Sequence, residues 1–308
     1  MSNKKIALVL ASGGARGIAH IGVIKELERR GYTITSVAGT SMGAVIGGFY
    51  AMNQIDSYAD FMCSLSQEHI YKLMDFTLTK HGFLKAEKVF KRIEEFIPDQ
   101  RIEELNIPFS AVAADLVKMQ EVVFSHGSVY KAMRASIAIP AVVTSVIDND
   151  RILVDGGILN PLPLNHVHRT EDDILVAVNL YDTPSPARFQ AADHNEMDLF
   201  EKGDGYLNKI YKSYKNVRKR VVSDKKKKRK EDVRTTKLDM GYVSLLNLAT
   251  TMMSQRIASM SIEIEKPDLV INIPCDGIST FDFHKAANLI EIGRNTAVSA
   301  LDAFEETK

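Results

Sequence analysis

Apolar residues fall in two alternating patterns along the chain. Residues 6–10 form an unbroken apolar run, which predicts a strand buried on both faces. A glycine turn follows. Residues 18–30 then carry helical periodicity through Ile21, Ile24 and Leu27, closed by Gly31. A second apolar strand is predicted over 34–38 and an apolar helix over 44–52. Two more helices are expected at about 57–73 and 85–97, the latter stopped by Pro98. Strands are expected at 109–114 and 121–124 around a turn at 116–120, and a helix at 128–137. Residues 142–147 and 151–154 read as a hairpin across Asp148-Asn149-Asp150. Residues 174–180 and 269–273 supply the last strands, and a long helix starts near His284. Strands alternating with helices predict an α/β fold with a mostly parallel central sheet. The apolar stretch at 240–262, with Met240, Met252, Met253 and Met260, reads as a helix packed on the sheet. Its flexible methionines would also suit an acyl-chain channel or lid.

Composition changes little in this picture. The chain is 45% hydrophobic and 25% charged, ordinary for a globular protein, and its net charge is zero. No apolar stretch approaches the ~20 residues of a membrane helix. Cys63 and Cys275 are isolated, which gives neither a disulfide framework nor a metal site. The expectation is one domain over 1–308, cytoplasmic, without a transmembrane anchor, cofactor or metal. Charge distribution is more informative. Residues 202–237 hold 15 Lys and Arg against 4 Asp and Glu, a net of +11 that the rest of the chain balances. Lys225, Lys226, Lys227, Lys228, Arg229 and Lys230 form its densest run. Such runs are commonly solvated surface. A contact with anionic lipid head groups, peripheral to the inner face of the membrane, is the functional expectation. No motif supports nucleic acid as a partner.

Three glycine-containing motifs carry candidate chemistry. Gly39-Thr40-Ser41-Met42-Gly43 lies between a predicted strand and a predicted helix. That is the context of a nucleophile elbow, in which a sharp turn lifts the serine hydroxyl above the sheet edge. The pentapeptide alone is equally a glycine turn capping a helix. Gly13-Gly14-Ala15-Arg16-Gly17 sits between the first strand and helix. Such a turn points N–H groups into one concavity, an oxyanion hole beside a nucleophile or a phosphate loop beside a nucleotide. The glycine spacing fits neither dinucleotide nor Walker A patterns. Asp155-Gly156-Gly157 follows a strand; alone it is a turn, but its carboxylate could accept a serine proton. His166, His168, His194 and His284 all follow Asp155, so order alone excludes none as a third member.

Together, in this order, the three motifs resemble the catalytic blocks of the patatin-like phospholipase family. Residues 135–140, Ala-Ser-Ile-Ala-Ile-Pro, and Asn160-Pro161-Leu162-Pro163 resemble further family blocks. The resemblance covers residues 5–180. Residues 268–300 are similar to bacterial members of the branch related to neuropathy target esterase, whereas 182–265 match poorly. It implies a three-layer sandwich interrupted by a divergent basic insertion at about 182–240. It also implies Ser41 as nucleophile and Asp155 as base in a dyad without histidine. Gly13, Gly14, Ala15, Arg16 and the Met42 N–H would be oxyanion donors, with Gly17, Gly39, Gly43, Gly156 and Gly157 shaping the turns. The implied reaction is metal-independent cleavage of phospholipid or lysophospholipid esters through an acyl-enzyme. A soluble esterase or thioesterase, and a lipid-binding protein of weak activity, are the competing expectations.

Overall fold

The computed structural model describes residues 4–73, 76–79, 82–140, 142–181, 242–274 and 278–307. The basic run and most of the surrounding insertion lie outside the described residues.

An eight-stranded sheet runs through the molecule in the order β10-β9-β1-β2-β5-β8-β7, with β6 also paired to β5. The strands are β1 (Lys5–Leu10), β2 (Thr33–Thr40), β5 (Phe109–Asp115), β6 (Gln120–Phe124), β7 (Val146–Asp148), β8 (Arg151–Asp155), β9 (Ile174–Asn179) and β10 (Leu269–Asn272). From β10 to β5 every pairing is parallel; β6, β7 and β8 are antiparallel. Helices cover both faces, so the fold is the three-layer α/β sandwich. The apolar runs explain the parallel part. Residues 6–11 are wholly buried because both sides of β1 face helices.

Helix α1 (Ala19–Arg29) packs along the C-terminal helix, Ala286–Glu306. The buried Glu26 carboxylate ties this pair from below. It accepts from Arg29 and Arg30, and Arg30 also reaches Asp302 and Glu305.

Three expectations needed correction. The helix expected over 57–73 is two, α3 (Ile55–Ser64) and α4 (Gln67–Leu73). Leu65 is extended, and the Ser66 hydroxyl accepts the His69 N–H, which starts a new helix. The helix expected over 85–97 is α5, Glu87–Glu94, entered from a left-handed Ala86. The hairpin over 142–154 begins only at Val146. Residues 142–144 instead bond to Leu84, through Leu84 N–H to Val142 O at 2.9 Å and Thr144 N–H to Leu84 O at 2.7 Å. Leu84 ends a small hairpin, β3 (Phe76–Thr79) and β4 (Gly82–Leu84), that periodicity did not predict.

Candidate active site

Sheet register explains how residues 114 apart in sequence meet. On β5, Ala111 and Val112 pair with Gly39 and Thr40 on one edge and with β6 on the other. The next residues, Ala113 to Asp115, pair with β6 on that same edge and with β8 opposite. Strands β2 and β8 therefore share one edge of β5 and run toward each other. β2 ends beside Val112, β8 ends with Asp155 beside Ala113, and Ser41 follows directly on β2. The Ser41 hydroxyl donates to Asp155 Oδ2 at 2.5 Å, with both side chains buried.

The turn at Ser41 is held in an uncommon shape. Its φ is 56° and ψ −123°, a conformation that L residues seldom adopt and that costs ~1–3 kcal/mol. Helix α2 (Met42–Ala51) starts at the next residue. Gly43 permits this, because a Cβ there would lie 2.2 Å from the Leu10 carbonyl oxygen. Gly39 and Gly156 likewise pass against backbone, at Gly43 and Val112, and Gly17 passes against the Met42 side chain. The Ser41 N–H donates to Ser136 Oγ at 2.8 Å, and Ser136 in turn donates to the Val112 carbonyl at 2.6 Å. Ser136 lies on α6 (Val129–Ser136) and braces the nucleophile turn. Sequence reading gave it no role; a lone hydroxyl within the apolar 135–140 block was the available signal.

Asp155 is positioned by its own turn. Oδ1 accepts the Gly157 N–H at 2.7 Å, and the Asp155 N–H donates to Ala138 O at 2.9 Å. Burial pushes its carboxyl up to about 6, with the Ser41 hydroxyl and the Gly157 N–H drawing it back. The arrangement suits a base that is ionised at neutral pH yet protonated by mild acid.

The glycine turn at 13–17 is a short 3-10 helix, and Gly14, Ser41 and Met42 all line one cavity. Gly14 has φ +58°, and a side chain there would strike Thr280. Among the described residues the Gly14 and Met42 N–H groups have no protein acceptor, as the first turns of helices dictate. Ala15 must be removed from the expected donors. Its N–H is engaged by the Thr280 carbonyl at 2.8 Å. Arg16 turns inward and its Nε donates to Gly13 O at 3.1 Å, which braces the loop. Thr280 was not anticipated; it closes the loop from a segment more than 260 residues away.

No histidine among the described residues bonds Ser41 or Asp155; His194 lies outside them. His20 is fully buried behind the glycine turn, with Nε2 2.9 Å from Ala11 O, and burial lowers it to about 4. His166 pairs with Glu121, and His284 is exposed.

The cavity measures about 160 Å³ and is lined almost wholly by apolar side chains. Met42, Tyr58, Met62, Leu84, Phe90 and Ile139 define its course away from Ser41. That volume holds on the order of six carbon atoms. The methionines of helix α7 (Tyr242–Glu265) do not line it. Met252, Met253 and Met260 are exposed, whereas Ser254 faces inward and donates to Gly157 O at 2.9 Å. Among the described residues the lining comes instead from α3, α4, α5 and the Leu84–Val143 bridge, whereas Met240 lies outside the described residues. No group of residues among those described could hold a metal, and none of their helices is long and apolar enough to cross a membrane.

Comparison with known proteins adds to this geometry. A family model described as patatin-like phospholipase matches residues 8–168. An uncharacterized NTE family protein of Mycobacterium tuberculosis is 35% identical over 336 residues, covering 99% of this chain and 93% of its own length. Lysophospholipase NTE1 of Kluyveromyces lactis is 29% identical over 188 residues, which span 58% of this chain and 13% of that protein. Among solved structures, VipD from Legionella pneumophila matches with TM-score 0.48 and 14% identity, covering 99% of this chain and 67% of that one.

Proposed function

Because this chain belongs to the patatin-like phospholipase family, we propose that it hydrolyses carboxylic esters of phospholipids or lysophospholipids with a Ser41–Asp155 dyad. The observation that carries the reading is the 2.5 Å bond from Ser41 Oγ to a buried Asp155 carboxylate, placed at the wall of an apolar cavity. Asp155 takes the hydroxyl proton as Ser41 Oγ attacks the ester carbonyl carbon. The developing oxyanion meets the free N–H groups of Gly14 and Met42, aided by the positive end of α2. Collapse breaks the ester C–O bond, and Asp155 returns the proton to the leaving alcohol. Water, deprotonated by the same carboxylate, then releases the acyl group from Ser41. The apolar cavity takes the acyl chain, and its lining favours lipid over short polar esters. The relative from Kluyveromyces lactis is a lysophospholipase, which supports single-chain lipids as the first substrates to try.

Labelling with a fluorophosphonate probe tests this. Wild type should label and hydrolyse lysophosphatidylcholine; Ser41→Ala should do neither, and Asp155→Asn should label far more slowly. A folded wild type that neither labels nor hydrolyses any ester in a lipid panel would overturn the reading.

A further inference from the structure

The end of the sheet beyond the dyad carries an apolar surface that the reaction does not use. Strand β5 continues two residues past Ala113, roughly 7 Å, before turning at Leu116–Met119 into β6. Turns of this kind normally take Gly, Asn or Asp. Here the Asp115 carboxylate fixes the turn, accepting the Val117 N–H at 2.9 Å and the Lys118 N–H at 3.4 Å. The tip residues are nevertheless Leu116, Val117 and Met119, exposed by 50%, 55% and 85%, and Met119 stands at φ 54°, a left-handed position that Gly or Asn would fill more easily. The register extends the patch sideways. Leu116 N–H bonds Ile152 O, and Ile152 pairs with Ile147, which is 60% exposed. Residues opposite one another share a face, so Leu116, Ile152 and Ile147 form one row, and Met119 stands beside it in the same turn. Val123, on the same face of β6, is also partly exposed.

We infer that these two hairpin tips form the face by which the protein enters the interfacial layer of a lipid bilayer. The inference rests on the lipid-ester reading of the Ser41 site. Scattered apolar residues need no explanation, but an ordered row at projecting tips does. Three features select a bilayer as its occupant. The tips project past the strand ends that hold Ser41 and Asp155, so docking here brings the dyad toward the lipid surface. Lys118 stands among the apolar tip residues, as suits a head-group contact. The chain outside the described residues, 182–241, leaves from Tyr181 and returns at α7. Tyr181 is hydrogen-bonded to Ser12, beside the glycine turn, so the stretch leaves the described chain near the dyad. That stretch contains the +11 segment, whose charge favours anionic lipid. Asp150 keeps the second tip at head-group depth, and Asp148 is neutralised by Arg151.

The test is sedimentation of the full chain with vesicles of equal parts phosphatidylcholine and phosphatidylglycerol. The double variant Val117→Asp with Met119→Asp should lose binding roughly tenfold or more and lose hydrolysis of vesicle lipid in step. Its turnover of a water-soluble short-chain ester should stay within about twofold of the parent. The variant Val117→Trp with Met119→Trp should bind more tightly while keeping its turnover of the water-soluble ester within about twofold, which excludes misfolding as the cause. Equal vesicle binding by parent and aspartate variant would overturn the inference. So would a parent dimer that the aspartate variant converts to monomer with vesicle binding unchanged, which would make the tips a self-association surface. If Ser41 fails to label while the tip variants still change vesicle binding, the catalytic reading falls and the docking face stands.

Discussion

The two ends of the sheet obey different rules. From β10 to β2 the strands are parallel, β9 and β1 are buried along nearly their whole length, and α1 packs along the C-terminal helix. From the far end of β5 to β7 they are short, antiparallel and partly exposed. This second region also holds more buried polar atoms without a protein partner: Asp115 Oδ2, Arg134 Nη1, Ser145 Oγ and Asn160 Oδ1, against His20 Nδ1 and Asp173 Oδ1 in the first, among the described residues. Ser41 comes from the first region and Asp155 from the second. The densely packed half therefore holds the strained Ser41 turn in place, and the looser half brings Asp155 and the apolar tips. Close packing and adaptable surface are kept apart, with the chemistry at their seam.

The sharpest break of that comparison is at the seam itself. Ser41→Ala should lower ester turnover on the order of 10⁵-fold without unfolding the chain, read by kinetics and circular dichroism. Asp155→Asn should lower it on the order of 10⁴-fold and at the same time stabilise the protein at alkaline pH. Its carboxyl lies near 3.8 when unfolded and about 6 when folded. A raised carboxyl favours folding below pH 3.8, and that contribution is lost as pH rises through 6. The wild type then carries a cost of up to about 3 kcal/mol above pH 6. The variant should melt higher at pH 8 and lose the advantage toward pH 4. In the wild type, kcat/KM should fall about tenfold per unit below pH 6.

Each region has its own signature. Leu8→Ala, in the wholly buried β1, should cost about 3 kcal/mol in denaturant unfolding and leave the chain-length preference unchanged. Leu84→Ala, on the cavity wall, should cost less and shift preference toward longer acyl chains in a lysolipid series. If both variants altered stability and preference alike, the division between the regions would be wrong. The smallest effect concerns the elbow: Ser41→Gly should be more stable than Ser41→Ala by about 1–2 kcal/mol, because glycine relieves the positive φ.

Legibility followed the same division. Unbroken apolar runs announce buried parallel strands, so β1 and β9 are legible nearly to the residue. Glycines that meet backbone oxygen leave a local trace, which is why the motifs around Ser41 and Asp155 stood out. What could not be read depends on distant partners. Ser136 under the nucleophile, Thr280 over the glycine turn and the Leu84–Val143 bridge are contacts without any periodic sign. The lining of the cavity is spread over six stretches of chain, at 14, 41–45, 58–73, 84–93, 137–143 and 280–283, and no composition bias marks them as the methionines mark α7.

The collision of β2 and β8 on one edge of β5 has a consequence for how such a protein can change over generations. The gap between nucleophile and base is counted in whole residues along a ladder with a spacing of about 3.3 Å. Adding or deleting one residue in β8 would carry Asp155 a full step away and turn it to the opposite face. The chain thus has a place where length is not negotiable, a few residues on either side of Asp155. The 60 residues between Tyr181 and Tyr242 lie outside that measure, so their number does not enter the gauge.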